Sequence, residues 1–182
     1  MILPIVKFGN PVLRRICGPA DPESPELKEL ISHMWETMYD VGGCGLAAPQ
    51  VNVPIRLFVV DSIPTYLQMD ETGRKACFGD DQGTKEVFIN PLITSRSERQ
   101  WRDEEGCLSI PGITLRITRP WSVTVRYLDD RLCEHIRTFS GTTARMIQHE
   151  YDHIEGKLLP DYLDAGRRLL LKNKLDKIMK GL

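Results

Sequence analysis

Two histidines stand four residues apart in the stretch QHEYDHIEG, Gln148 to Gly156, and a glutamate follows the first of them. On a helix, residues at this spacing lie one turn above each other, so His149 and His153 can aim their imidazoles at one divalent ion. Glu150 comes roughly 100° further round an axis with 3.6 residues per turn. It would flank the ion and handle the proton of a bound water. The same residues also suit a solvated helix face or a hydrogen-bonded core cluster, and this pattern alone does not decide between them. A catalytic ion further needs a third protein ligand and an open position.

Two other stretches offer what is missing. EEGCLSIPG, Glu104 to Gly112, sets Cys107 between a glycine and an apolar leucine in a segment ended by Pro111. A thiolate there would complete a Cys/His/His set and leave the fourth position to water. GGCGLAAPQ, Gly42 to Gln50, has glycines that clear the way for another backbone, and the Gln50 amide could donate to a developing oxyanion. Taken singly, the first stretch also reads as a small buried thiol and the second as a helix C-cap with a bend.

The elements that must position these groups can be read on either side of them. SPELKELISHMWETMYDV predicts an amphipathic helix, with Ser24 as N-cap, Pro25 at the first turn, and Leu27, Leu30, Ile31, Met34, Met38 and Val41 in helical period. It should stop at Gly42-Gly43. IRLFVVD (Ile55 to Asp61) and EVFIN (Glu86 to Asn90) read as strands, as do ERQWR, SVTVRYLD and EHIRTFS, with a turn at Asp129-Asp130-Arg131. The polar, glycine-containing stretch from Tyr66 to Lys85 reads as a long excursion loop, with Cys77 incidental to it. Ala144, Ile147, Tyr151 and Ile154 keep a helical period around the histidine pair. A last helix, about 164–181, carries Leu171, Leu175, Ile178 and Leu182 along one stripe. Strands and helices do not alternate regularly, so the expected class is α+β: antiparallel β-sheets surrounding a central metal-binding helix, with an N-terminal helix and a C-terminal helix. His33 and His135 lie outside any ligand spacing and read as an ordinary surface residue and a pleat-facing strand residue.

Composition narrows the function classes. The 182 residues fit one domain, 1–182, and carry a formal charge of −1 with 27% charged and 41% hydrophobic residues. That balance argues against a disordered tail and against a DNA binder working by bulk charge. No apolar run approaches the ~20 residues of a bilayer span, and the opening MILPIVKFGNPVLRR lacks the pattern of an export signal, so a soluble cytoplasmic protein with no membrane partner is expected. Five dispersed cysteines, Cys17, Cys44, Cys77, Cys107 and Cys133, form no CxxC pair and suit free thiols better than disulfides.

Taken together, GCGLAAPQ, EGCLS and QHEYDH, in this order, resemble the three signature motifs of the peptide deformylases, and ILPIVKFGNPVLRR is similar to the family's N-terminal start. The resemblance covers most of the chain. It implies Cys107, His149 and His153 as metal ligands and Glu150 as the catalytic acid and base. It further implies Gln50 and the Leu108 N–H as holders of the carbonyl oxygen, and Gly43, Cys44, Gly45 and Gly106 as walls for an extended peptide. The activity implied is hydrolysis of the N-formyl group from N-formylmethionyl nascent peptides, releasing formate, with Fe2+ as usual cofactor and Zn2+, Ni2+ or Co2+ as substitutes. The basic last helix resembles that of helix-terminated members and implies docking on the ribosome near the exit tunnel.

This chain has its own features. Cys44 stands where the family commonly has an aliphatic residue, the Tyr66 to Lys85 stretch is longer than in compact members, and Arg145, Met146 and Ile147 all compete to shape the methionine pocket. Asp152 and Glu105 are both candidates to support the metal histidines, Glu105 with Arg119 as its partner. Two rival readings remain at this point: an endopeptidase sharing HExxH with a downstream third ligand such as Glu155 or Asp161, and a catalytically silent binding or metal-storage module.

Overall fold

The computed structural model describes residues 1–181. Five helices, α1 (Pro25–Asp40), α2 (Ile63–Gln68), α3 (Glu71–Cys77), α4 (Gly141–Ile154) and α5 (Ala165–Met179), combine with seven strands. These are β1 (Gly45–Ala47), β2 (Leu57–Asp61), β3 (Lys85–Arg96), β4 (Gln100–Cys107), β5 (Ile110–Pro120), β6 (Ser122–Leu128) and β7 (Glu134–Ser140).

The larger sheet runs β1-β2-β3-β6-β7, antiparallel throughout, and its core follows from the period of two along a strand. In β2 every residue is buried, because alternate side chains serve opposite layers. Leu57 and Val59 join Leu27, Ile31, Met34 and Met38 of α1, whereas Phe58 and Val60 join Ala144, Ile147, Tyr151 and Ile154 of α4. The hairpin β4-β5 covers α4 from its other side, so the helix carrying the histidines is held between two antiparallel sheets as the sequence predicts.

α1 also ends as expected. Gly42 adopts φ 67°, the Gly43 N–H reaches the Met38 carbonyl at 2.8 Å and the Gly42 N–H that of Tyr39 at 3.1 Å, the two bonds that close a Schellman cap. This turn feeds the chain directly into β1 and so fixes the glycine loop at the rim of the sheet.

Three expectations are corrected. The stretch from Tyr66 to Lys85 is not a structureless loop: α2 ends and α3 lies within it. Neither helix buries a residue of its own, so neither shows an apolar period to read. The Asp70 carboxylate caps α3 by accepting the Gly73 N–H at 2.7 Å, and Phe78 is buried edge-on against Tyr66. Nor does Pro111 end its segment, since β5 begins at Ile110 and runs through it. β3 likewise runs on past Asn90 and through Pro91. A register shift between Ile89 and Leu92 accommodates the proline's missing donor, and Asn90, at φ 50°, pairs its side chain with both backbone groups of Ala20.

α5 presents Leu171, Leu175 and Ile178 to Val12, Leu13 and Ile110, leaving Leu169 and Leu170 exposed. Leu182, the last member of the expected stripe, lies outside the described residues. His135 is paired as well as pleat-facing: its Nε2 lies 2.7 Å from Asp129 and its ring stacks on Tyr127. No described helix is long and apolar enough to cross a membrane.

Candidate active site

Cys107 ends β4 at a register shift in the hairpin, and α4 presents His149 and His153 one turn apart toward it. The three donor atoms lie within 4.8 Å of one another, with Cys107 Sγ 3.3 Å from His153 Nε2. A tetrahedral ion with bonds of about 2.3 Å to sulfur and about 2.1 Å to nitrogen holds its ligands roughly 3.6 Å apart, so the set fits a small divalent cation with little adjustment. Its chemistry fits as well. Burial opposes ionisation of the Cys107 thiol, yet His153 and His149 beside it bring its pKa well below the usual thiol value.

The carboxylate behind the site is Glu105. Its Oε2 lies 3.0 Å from His149 Nδ1, which leaves Nε2 of that ring for a ligand. Arg119 grips Glu105 with two bonds, at 2.6 and 2.9 Å, and Arg145 adds a third at 2.6 Å. Burial works to raise this carboxyl, but the bonds from His149 and Arg119 outweigh it and hold the pKa at about 2. The pairing of Glu105 with Arg119 thus follows the sequence reading. Asp152 does not support a metal histidine: it accepts from Arg119 at 2.9 Å and from the Tyr162 hydroxyl at 2.7 Å, on another face of α4.

Glu150 is 5% exposed, and its Oε2 has no protein partner. Burial raises its carboxyl to about 7, in the range where a group both takes and gives a proton. Gly45 makes room for it, since a Cβ at that position would lie 2.5 Å from Glu150 Oε1. Gln50 is buried below, its Oε1 held by the Ala47 N–H at 2.8 Å and its Nε2 turned to Ser109 Oγ at 3.2 Å and Cys107 Sγ at 3.8 Å.

These groups open on a cavity of about 560 Å³ whose walls are the glycine loop and the hairpin. Gly43, Cys44 and Gly45 form one wall and Gly106 and Leu108 the other, Gly43 so close to the Leu108 side chain that a Cβ would come within 3.0 Å. Of the three residues competing for the cavity, Met146 lines it, Arg145 reaches it while bound to Glu105, and Ile147 is buried in the core. Ser109 and Lys7, whose Nζ donates to the Leu108 carbonyl at 3.0 Å, were not legible as site residues, and Arg145 was a candidate for the methionine pocket but not for the Glu105 cluster. Only the place of Arg145, one turn before His149, could have pointed to it.

A thiolate, two imidazoles and a free buried carboxylate at the base of a peptide-sized cleft define a mononuclear metal-dependent hydrolase. The family model described as polypeptide deformylase matches residues 2–168, and the chain belongs to that family. It is 44% identical over 183 residues to the peptide deformylase of Christiangramia forsetii, covering 100% of this chain and 91% of the relative. It is 44% identical over 181 residues to that of Flavobacterium johnsoniae, with the same coverage. Among solved structures, the peptide deformylase of Ehrlichia chaffeensis superposes with a TM-score of 0.85 at 31% identity, covering 100% of this chain and 98% of that one. That of Legionella pneumophila gives 0.80 at 36%, covering 99% and 96%. The chain is therefore a metal-binding hydrolase of protein biosynthesis that removes N-formyl groups from nascent peptides.

Proposed function

We propose that Cys107, His149 and His153 hold one ferrous iron, which when bound polarises the formyl carbonyl and acidifies water. Zinc, nickel or cobalt can replace it, because a thiolate and two imidazoles accept all four ions. Glu150 takes a proton from the attacking water and returns it to the leaving nitrogen, releasing formate and a free α-amino group. The Gln50 amide and the Leu108 N–H donate to the formyl oxygen as charge builds there, each donor worth roughly 3 kcal/mol. The peptide lies extended between the Gly43 to Gly45 edge and Gly106, adding a strand to the free side of β1, and its methionine side chain meets Met146. The observation that carries this reading is the buried Glu150 carboxylate, with one oxygen unpartnered, beside three converging donor atoms.

The same reading takes residues 1–182 as one domain working in the cytoplasm on chains that leave the ribosome. Ribosome docking through α5 is supported by its charge: Arg167, Arg168, Lys172, Lys174, Lys177 and Lys180 are all exposed, against Asp164 and Asp176. Such a surface suits a phosphate-rich partner.

Anaerobic purification with metal analysis tests the ligand set. About one iron per chain is expected in the native protein and little in Cys107→Ala. The iron form should lose activity in air while a nickel form survives, because a thiolate on a redox-active ion is exposed to oxidation. Equal iron in both proteins, or equal half-lives of the two metal forms, contradicts the assignment.

A further inference from the structure

A second cavity, of about 300 Å³, lies on another face of α4, between the ends of β5 and β3 and the segment after the helix. Its lining brings three cations, Arg96, Arg119 and Lys157, against a single carboxylate, Asp152. That carboxylate is already engaged, because its Oδ2 takes both Arg119 and Tyr162. Arg119 is matched by Glu105 as well. Arg96 and Lys157 are therefore the excess: neither side chain meets an acid among the described residues, and the Lys157 ammonium rests only on the Tyr162 ring, 3.6 Å from its centre. Two hydroxyls add to the surplus of donors. Tyr151 accepts a bond from Arg56 at 3.3 Å and keeps its own proton free, and the Thr118 side chain has no protein partner among the described residues.

A recess with two unmatched positive charges and two spare hydroxyl donors is complementary to an anion with several acceptor oxygens. We propose that this crevice binds a small oxyanion, a phosphate or a carboxylate, between Arg96 and Lys157, with Thr118 and Tyr151 donating to it. The site is not isolated from the catalytic one. Arg119 reaches into the crevice with one nitrogen and grips Glu105 with the others, and Glu105 orients His149. An anion seated over Arg119 excludes water from this chain of bonds and strengthens it. Metal release should then slow, a consequence that rests on the ligand set proposed above, whereas the anion site itself does not.

Calorimetric titrations with inorganic phosphate and, separately, with formate, at constant ionic strength, test the site and tell the two sources apart. Native protein is expected to bind at least one of them at a single site. The double variant Arg96→Gln/Lys157→Gln, which touches no catalytic group, is expected to fold, to keep its turnover, and to bind at least about tenfold more weakly. Absence of binding to the native protein, or equal affinity in the double variant, overturns the site. Transfer of nickel to a chelator, timed with and without the bound anion, reads the link to His149. Slower release in the native protein only is expected, and an unchanged rate overturns the link.

Discussion

His149 Nδ1 lies 3.0 Å from Glu105 Oε2, and through that one bond the orientation of a proposed metal ligand depends on a buried ion cluster reaching across three elements. Glu105 comes from β4, Arg119 from β5 and Arg145 from α4, with side chains 5%, 3% and 5% exposed. Glu105→Gln keeps the shape but leaves two buried guanidinium groups short of a counter-charge. A loss of about 3–5 kcal/mol in stability is expected, together with metal affinity weakened about 10–100-fold. Denaturant unfolding and chelator competition measure the two effects, and native values for both would show that the cluster supports neither fold nor site.

Gly45 and Glu150 are in direct contact, so Gly45→Ala should displace the carboxylate without touching a ligand. Turnover should fall about 100-fold, as expected for a misplacement of about 1 Å, with metal content unchanged. Native turnover at full metal occupancy would mean that the position of Glu150 does not matter to the reaction.

The stretch after β2 has a structural task that its composition hides. Asp81 accepts the Thr143 hydroxyl at 3.0 Å, Ser62 meets the same hydroxyl at 2.7 Å, and the Cys77 carbonyl takes Thr142, so the segment holds the first turn of the helix bearing the histidines. Asp81→Ala should cost about 1–2 kcal/mol, because it leaves the buried Thr143 hydroxyl and the Gly83 N–H without their acceptor. That corresponds to a fall of roughly 2–8 °C in Tm. Combination with Thr143→Val should be less than additive, because both break one network. Additive losses in a thermal unfolding cycle would disprove the shared role.

How far the sequence could be read follows from which contacts are local. The apolar period of α1 and α4, the alternation in β2 and the three motifs were legible because each sits within a few residues of chain. The pairing of Glu105 with Arg119 was legible because the two stand in neighbouring strands. Arg145 as a partner of Glu105, and Arg119 as a partner of Asp152, were not, because they exist only once the hairpin docks on α4, and Tyr162 meets Asp152 only through the path of the segment after α4. The helices α2 and α3 were missed for a related reason, since they present no buried face and are held by caps and by Phe78.

Ribosome docking can be separated from packing because the basic residues of α5 are exposed while Leu171, Leu175 and Ile178 face the core cluster. Changing Lys172, Lys174 and Lys177 to Glu should weaken co-sedimentation with ribosomes and flatten its salt dependence, with short-peptide turnover unchanged. Equal co-sedimentation at two salt concentrations would leave the helix as packing and surface only.

The most direct test of the account is formate release from N-formylmethionyl-alanine by Glu150→Gln, with metal content measured on the same sample. The variant retains all three proposed ligands and loses only the group assigned to proton transfer, so full metal content and turnover lower by about 100- to 10,000-fold are expected. Native turnover at equal metal content would contradict the role given to Glu150 and, with it, the mechanism proposed for this site.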